Sequence, residues 1–258
     1  MRVTAVMNSK GGTAKTTTAV TLAALAAQEG RRCLIVDMDK QASATKQLGG
    51  SPDNDDLIPG LLGERALASL IQPTSVDDLD LVPGSVALAN PARLVEQIGH
   101  HTLLRSALED VEGYDWVLID TPGDLAALTI MSLTAATDVL VPISLGTSEL
   151  DEVPLIQAAI STTRKRLNPH LKLAGVVVTK VPVYGRNPAG LLSPFLVQLQ
   201  KDFPGKVLDT YVRQSVSAME AHGWRRPLTV HDPGGRIVAD YRAVLHALDG
   251  AQAVAHAG

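Results

Sequence analysis

Asn8-Ser9-Lys10-Gly11-Gly12-Thr13-Ala14-Lys15-Thr16-Thr17 follows a short apolar run, Val3 to Met7, and precedes a helical pattern over Thr18–Gln28. A strand, a Gly-rich turn and a helix start place backbone N–H groups where they can cradle phosphates. In that geometry Lys15 reaches the β- and γ-phosphates, and the Thr16 hydroxyl sits on Mg2+. Lys10, five residues upstream of the phosphate lysine, is a second cation that an ordinary phosphate loop lacks. Ser9 and Ala14 stand where such a loop has Gly. Ala14 costs little if it is already helical, since Ala is the best helix former, but matters at positive φ.

The 258 residues could form one large α/β domain or two small ones. Apolar content of 45% supplies a sizeable core, and only 3% aromatics means that Ala, Val, Leu and Ile build it. The single cysteine, Cys33, opens an apolar strand reading and cannot form an intramolecular disulfide. No basic-then-apolar leader opens the chain, and no apolar run approaches ~18 residues, so neither secretion nor a membrane span is expected. Cytoplasm is the default. Charge is uneven: Arg164 to Arg226 holds eleven Lys or Arg against three acids, a local +8, while the remainder sums to −12. Such asymmetry suits a polyanionic partner, although solvated helix faces give the same count.

Strand-like runs at Val3–Met7, Cys33–Asp37, Leu79–Val82, Trp116–Asp120, Val139–Ile143, Leu173–Thr179 and Lys206–Leu208 alternate with helical patterns near 15–29, 87–110, 125–135, 149–168 and 188–202. Most of the runs are short, continuous and β-branched, as in strands buried on both faces of a parallel sheet. The alternation implies right-handed crossovers and an α/β, doubly wound, mostly parallel sheet flanked by helices. Ligands of such sheets bind beyond the carboxyl ends of the strands. Ser51–Pro59 reads as a surface loop rather than a linker, so a single domain over 1–258 is expected. His100-His101 has no nearby metal-ligand spacing and reads as a polar helix start.

A phosphate loop needs carboxylates for the metal and for the attacking water. Two strands end in them: Leu34-Ile35-Val36-Asp37-Met38-Asp39-Lys40-Gln41 and Trp116-Val117-Leu118-Ile119-Asp120-Thr121-Pro122-Gly123. With Lys10, these motifs resemble the deviant Walker A group, the ParA/MinD family of P-loop ATPases. Lys40 replaces the proline usual after the family's Asp-x-Asp, and Gly123 replaces a proline after its Walker B strand. The resemblance covers most of the chain and loses specificity after about residue 150.

What the resemblance implies is a Mg2+-dependent, partner-stimulated ATP hydrolase. Lys10, Gly11, Gly12, Thr13, Ala14, Lys15, Thr16 and Thr17 would hold ATP, and Thr16, Asp37, Asp39 and Asp120 would surround Mg2+. Asp39 would position or activate the water, with Lys10 and Lys15 as its catalytic partners. Thr179-Lys180 and the loop Asp232–Gly235 fall where the family meets the base. The family residue matching Lys10 reaches across a dimer interface, which implies an ATP-dependent homodimer. Within the family, one cysteine cannot supply an iron–sulfur cluster. The tail Ala243–Gly258 lacks the cations of a lipid-binding helix, so no membrane partner is expected. That leaves the ParA type, which binds DNA without sequence preference through phosphate contacts. Arg186, Arg213, Arg225 and Arg226, in the basic stretch 164–226, are the candidate contacts. A ParB-like centromere-binding partner and association with the nucleoid follow. No helix-turn-helix precedes the first strand, so operator-specific repression is not expected. A MinD-like positioning ATPase is the alternative, and an ATP-dependent metabolic ligase a distant third.

Overall fold

The computed structural model describes residues 1–52, 56–185 and 187–256, with side chains as far as Gly250. Arg186 and the centre of the loop Ser51–Pro59 lie outside the described residues. The strands are β1 Arg2–Val6, β2 Cys33–Asp37, β3 Gln72–Pro73, β4 Leu79–Val82, β5 Trp116–Asp120, β6 Asp138–Ser144, β7 Lys172–Val181, β8 Val183–Tyr184, β9 Asn187–Pro188 and β10 Val207–Arg213. Eight of them form one sheet in the order β10-β7-β6-β1-β5-β2-β4-β3, and β8 and β9 make a separate small hairpin. Every pairing in the large sheet is parallel except β3 on β4. Pro73 is tolerated in β3 because an edge strand need not donate on both sides.

Side-chain alternation divides the core between the two sheet faces. Cys33 and Ile35 of β2, with Trp116 and Leu118 of β5, pack towards the helices Lys15–Gln28 and Arg236–His256. Leu34, Val36, Val117 and Ile119 point the other way, onto the segment containing Leu57, Leu67, Leu94 and Leu104. Helix Lys15–Gln28 is buried from Thr18 to Ala27, consistent with its Ala-rich sequence and its place against the central strands. At the opposite end of β1 from the phosphate loop, Thr4 Oγ1 accepts from Trp116 Nε1 and donates to Asp138, which also pairs with Arg2. That network pins three adjacent strands together.

All seven strands read from the sequence are present, with β10 running on to Arg213. The expected helix over 87–110 is instead broken into short pieces, Val86–Ala89, Ala92–Val95, His100–Thr102, Leu103–Ala107 and Leu108–Asp110. Pro91 bars a continuous helix, and Gly99 turns left-handed at φ 75°. Leu57–Pro59, expected as loop, begin a short helix, Leu57–Leu61. The stretch after Arg242, read from sequence only as a tail without cations, is helical. It continues the helix Arg236–His256, and Val244, Leu245 and Leu248 are buried in the core.

The turn into helix Lys15–Gln28 carries a strain that its sequence left open. Ala14 sits at φ 67° and ψ 26°, in the left-handed region and not in the helix. An L-residue there costs about 1–2 kcal/mol, while Gly loses about 0.4–1 kcal/mol through the freedom of its unfolded chain. Ala14→Gly is therefore expected to raise unfolding stability by ~0.5–1 kcal/mol in urea titrations. An equal or lower midpoint would show that Ala14 is not strained.

Candidate nucleotide site

The carboxyl ends of β1, β2, β5, β7 and β10, with the loops that leave them, converge on a cleft of ≈ 520 Å³. Gly11, Gly12, Ala14, Lys15, Thr16 and Thr17 form its floor, and Asp39, Gly123, Thr179 and Lys180 add to its walls. Thr13 is buried behind the floor, where its carbonyl accepts from Thr179 Oγ1 at 3.2 Å. Asn8 secures the loop from the other side by donating through Nδ2 to the Pro142 carbonyl at 2.7 Å and accepting from Lys10 N–H. The loop is thereby fixed to β6 and β7 through its side chains and its own carbonyls, which leaves N–H groups available for a ligand.

The two lysines have different surroundings. Lys15 is buried, and its Nζ donates to the Lys10 carbonyl at 2.8 Å. Burial pushes its pKa down, against the pull of Asp120 and Asp39. The Lys10 side chain is 39% exposed and does not line the cleft; its Nζ lies 2.9 Å from Glu149 and 3.2 Å from Ser148 Oγ. The hydrogen bond to Glu149 raises its pKa, helped by Asp151 and Glu152. Lys10 is therefore a charged arm held beside the phosphate loop.

Strand register places the two acids below the floor. Asp37 and Asp120 are partners across β2 and β5, and both are fully buried. Thr16 Oγ1 donates to Asp120 Oδ2 at 2.7 Å, and Asp39 stands higher, on the cleft wall.

A protein-family model described as an AAA domain matches residues 1–173. The chromosome-partitioning ATPase Soj of Thermus thermophilus is 38% identical over 90% of this chain and 89% of its own. The sporulation initiation inhibitor protein Soj of Bacillus subtilis is 33% identical, over 91% of this chain and 93% of its own. Cobyrinic acid a,c-diamide synthase from Mycobacterium smegmatis, solved with bound ADP and magnesium, superposes with a TM-score of 0.77. It is 32% identical, with 92% of this chain and 97% of that one covered. The chain belongs to the ParA-type ATPases.

For a ParA-type ATPase, the rest of the cleft corrects the sequence reading in three places. Asp232–Gly235 does not line it; the far wall is made by Val212–Ser215, by Ala218, Met219 and His222 of helix Val216–Gly223, and by Ile237 and Tyr241. These residues were missed because β10 read as ending at Leu208, which hid the carboxyl end where ligands bind. Arg213 is not a free surface cation. Its guanidinium makes two hydrogen bonds to Asp240, at 2.6 and 2.7 Å, and it faces the cleft. Arg225 and Arg226 are exposed, with Arg225 at φ 53° beside the exposed Trp224.

Among the described residues no group of three or more His, Cys, Asp or Glu could hold a metal by itself. Mg2+ does not need one, because it keeps several waters and takes one or two carboxylates together with phosphate oxygens. Asp120 Oδ1 is buried without a hydrogen-bond partner, next to the Thr16 hydroxyl on Oδ2. An orphaned carboxylate oxygen under a phosphate loop fits such an ion. Burial pushes the Asp37 carboxyl up to about 6, and burial together with the Asp37 charge raises Asp120 well above the carboxylate range.

Both acids bind protons more tightly folded than unfolded, so their ionisation lowers stability as pH rises through these values. Asp120→Asn removes one charge of the pair and keeps an acceptor for Thr16. Near pH 7.5, without nucleotide or metal, the variant is expected to melt ~2–4 °C above wild type, the shift from roughly 1 kcal/mol in a chain of this size. The gap should close near pH 4, and addition of Mg2+ with ADP should stabilise the wild type more than the variant. Equal melting curves at both pH values would remove the penalty ascribed to the pair.

Proposed function

We propose that this chain is a partition ATPase that forms an ATP-dependent homodimer and binds DNA without sequence preference. A ParB-like partner would stimulate its ATP hydrolysis, and DNA binding would place it on the nucleoid. The observation that carries this reading is the position of Lys10. A second lysine in the phosphate loop, charged and outside its own cleft, is suited to a nucleotide in a facing copy of the chain. The relatives named as chromosome-partitioning and sporulation proteins support the same direction.

In the proposed cycle Lys15 and the N–H groups of Gly11 to Thr17 bind the phosphates of ATP. Thr16 and Asp120 hold Mg2+, with Asp37 supporting them from behind. Mg2+ held there would neutralise charge on the phosphates. Asp39 orients the attacking water from the cleft wall, and Lys180 and the Val212–Ser215 loop enclose the base end. Lys10 leaves Glu149 and adds its charge to the partner's phosphates, where negative charge shifts during transfer. Residues 1–258 act as one ATPase domain in this scheme.

Dimer formation tests the assignment of Lys10. Lys10→Ala should keep monomeric ATP binding and sediment as a monomer with a non-hydrolysable ATP analogue, while the wild type sediments as a dimer. A wild-type dimer fraction in the variant would make Lys10 an ordinary loop residue.

The DNA surface is proposed to centre on Arg225 and Arg226, with Arg186 as a third candidate, while Arg213 is paired with Asp240 on the cleft wall. With ATP, the protein should retain arbitrary duplex DNA, and retention should weaken steeply with salt. Reversing Arg225 and Arg226 to Glu should weaken binding to all sequences alike and reduce the slope of log K against log salt by about 2 per protomer. Filter retention across a salt series measures both. Unchanged slopes would move the DNA surface elsewhere. ATP-dependent recruitment to anionic liposomes without DNA retention would favour a positioning ATPase of the MinD kind.

A further inference from the structure

Thr45 lies eight residues beyond Asp37, in the short helix Ser43–Gln47. Ala42, left-handed at φ 48°, turns the chain so that this helix sits back under the end of β2. The backbone N–H and the hydroxyl of Thr45 both donate to Asp37 Oδ2, at 2.8 and 2.7 Å. The Gly84 N–H, just beyond β4, donates in turn to Thr45 Oγ1 at 2.7 Å. A hydroxyl has one proton, so with Gly84 as donor to its oxygen the Thr45 proton is committed to Asp37.

The other oxygen of Asp37 continues the chain. Asp37 Oδ1 accepts from the Asp39 N–H at 3.1 Å, and Asp39 Oδ1 accepts from the Gln41 N–H at 2.9 Å. Thr45 and Asp37 are both fully buried, so no water competes for these bonds. Space is closed as well as dry: a Cβ on Gly84 would stand 2.9 Å from Asp37 Cγ and 3.0 Å from its carbonyl oxygen. Gly84, Thr45, Asp37 and the Asp39 backbone thus form one connected set, and only its last member reaches the cleft.

We propose that Thr45 is a positioning residue for hydrolysis: its hydroxyl, oriented by Gly84, locks Asp37, which fixes the backbone from which the Asp39 carboxylate meets the water. The inference rests on the reading of Asp39 as the water-orienting acid. It differs from a packing role, in which the Thr45 methyl against the Gly49-Gly50 turn would be what matters.

Thr45→Val keeps the shape and removes the hydroxyl, Thr45→Ala removes both, and Thr45→Ser keeps the hydroxyl alone. Binding of a fluorescent ATP analogue and single-turnover hydrolysis are measured on the full chain with Mg2+. Val and Ala variants should bind within about threefold of wild type and hydrolyse at least ~tenfold more slowly, because small misplacements of a catalytic group cost rate rather than affinity. Thr45→Ser should return to within about twofold of wild type. Thr45→Val combined with Asp39→Ala should be no slower than Asp39→Ala alone, since both act on one group.

A wild-type rate in Thr45→Val, with Asp39→Ala inactive, overturns the inference and leaves Asp39 in place. A wild-type rate in Asp39→Ala removes the reading of Asp39 and the inference with it. A serine variant as slow as the valine one, or affinity falling in step with rate, assigns Thr45 to packing. If Thr45→Val fails to fold, the Ala and Ser variants decide between the same outcomes.

Discussion

Two carboxylates side by side and out of reach of water are the constraint around which this molecule is arranged. Asp37 and Asp120 end adjacent parallel strands in register, and both are fully buried. Burial is the main reason both hold their protons more tightly than exposed acids do, and the Asp37 charge adds to the shift at Asp120. A sheet buried on both faces carries few charged groups along its central strands, and the carboxylates of β2 and β5 stand where those strands stop. Here that end has an ammonium, a hydroxyl and an orphaned carboxylate oxygen above it. The repulsion between two ionised carboxylates at this spot would favour a small divalent cation there.

The phosphate loop shows how two identical side chains five residues apart come to different uses. Lys15 begins a helix that is buried almost throughout, so its amine stays inside the loop and bonds to the loop's own carbonyl. Lys10 lies before the glycines, on the side facing Thr147–Leu150, where Glu149 and Ser148 hold it. The tether is weak, because solvent screens an ion pair this exposed. An arm tethered so weakly can be exchanged for a phosphate group, whereas the Lys15 position is fixed by burial.

Much of this was legible in the sequence because the signals were local. Seven short runs, most of them continuous and apolar, marked the parallel strands, and the spacing of Lys10, Lys15, Asp37 and Asp120 marked the candidate site. What escaped depended on distant partners or on one backbone angle. The break over 87–110 was written in Pro91 and Gly99, but apolar periodicity masked it. The left-handed angle of Ala14 follows from how the loop is anchored to β6 and β7, which no neighbouring residue announces. Arg213 counted as a surface cation because Asp240, its partner, is far off in sequence and belongs to a helix the sequence reading did not extend.

That ion pair also explains why the cleft needs the C-terminal part of the fold. Asp240 receives both the Arg213 backbone N–H and its guanidinium, so the end of β10 is tied to the helix Arg236–His256. One residue further along this helix, Tyr241 is buried with its hydroxyl 3.2 Å from Thr18 Oγ1, on the helix that the phosphate loop begins. Strand end, last helix and first helix are therefore connected by side chains of three consecutive walls of one cleft. A charge that looked suited to an external polyanion instead ties the end of β10, on the cleft wall, to the last helix, which in turn meets the helix that begins at the phosphate loop. Arg213 is thus lost to the basic surplus of this part of the chain, while Arg164, Lys165 and Arg166, like Arg225 and Arg226, stay exposed.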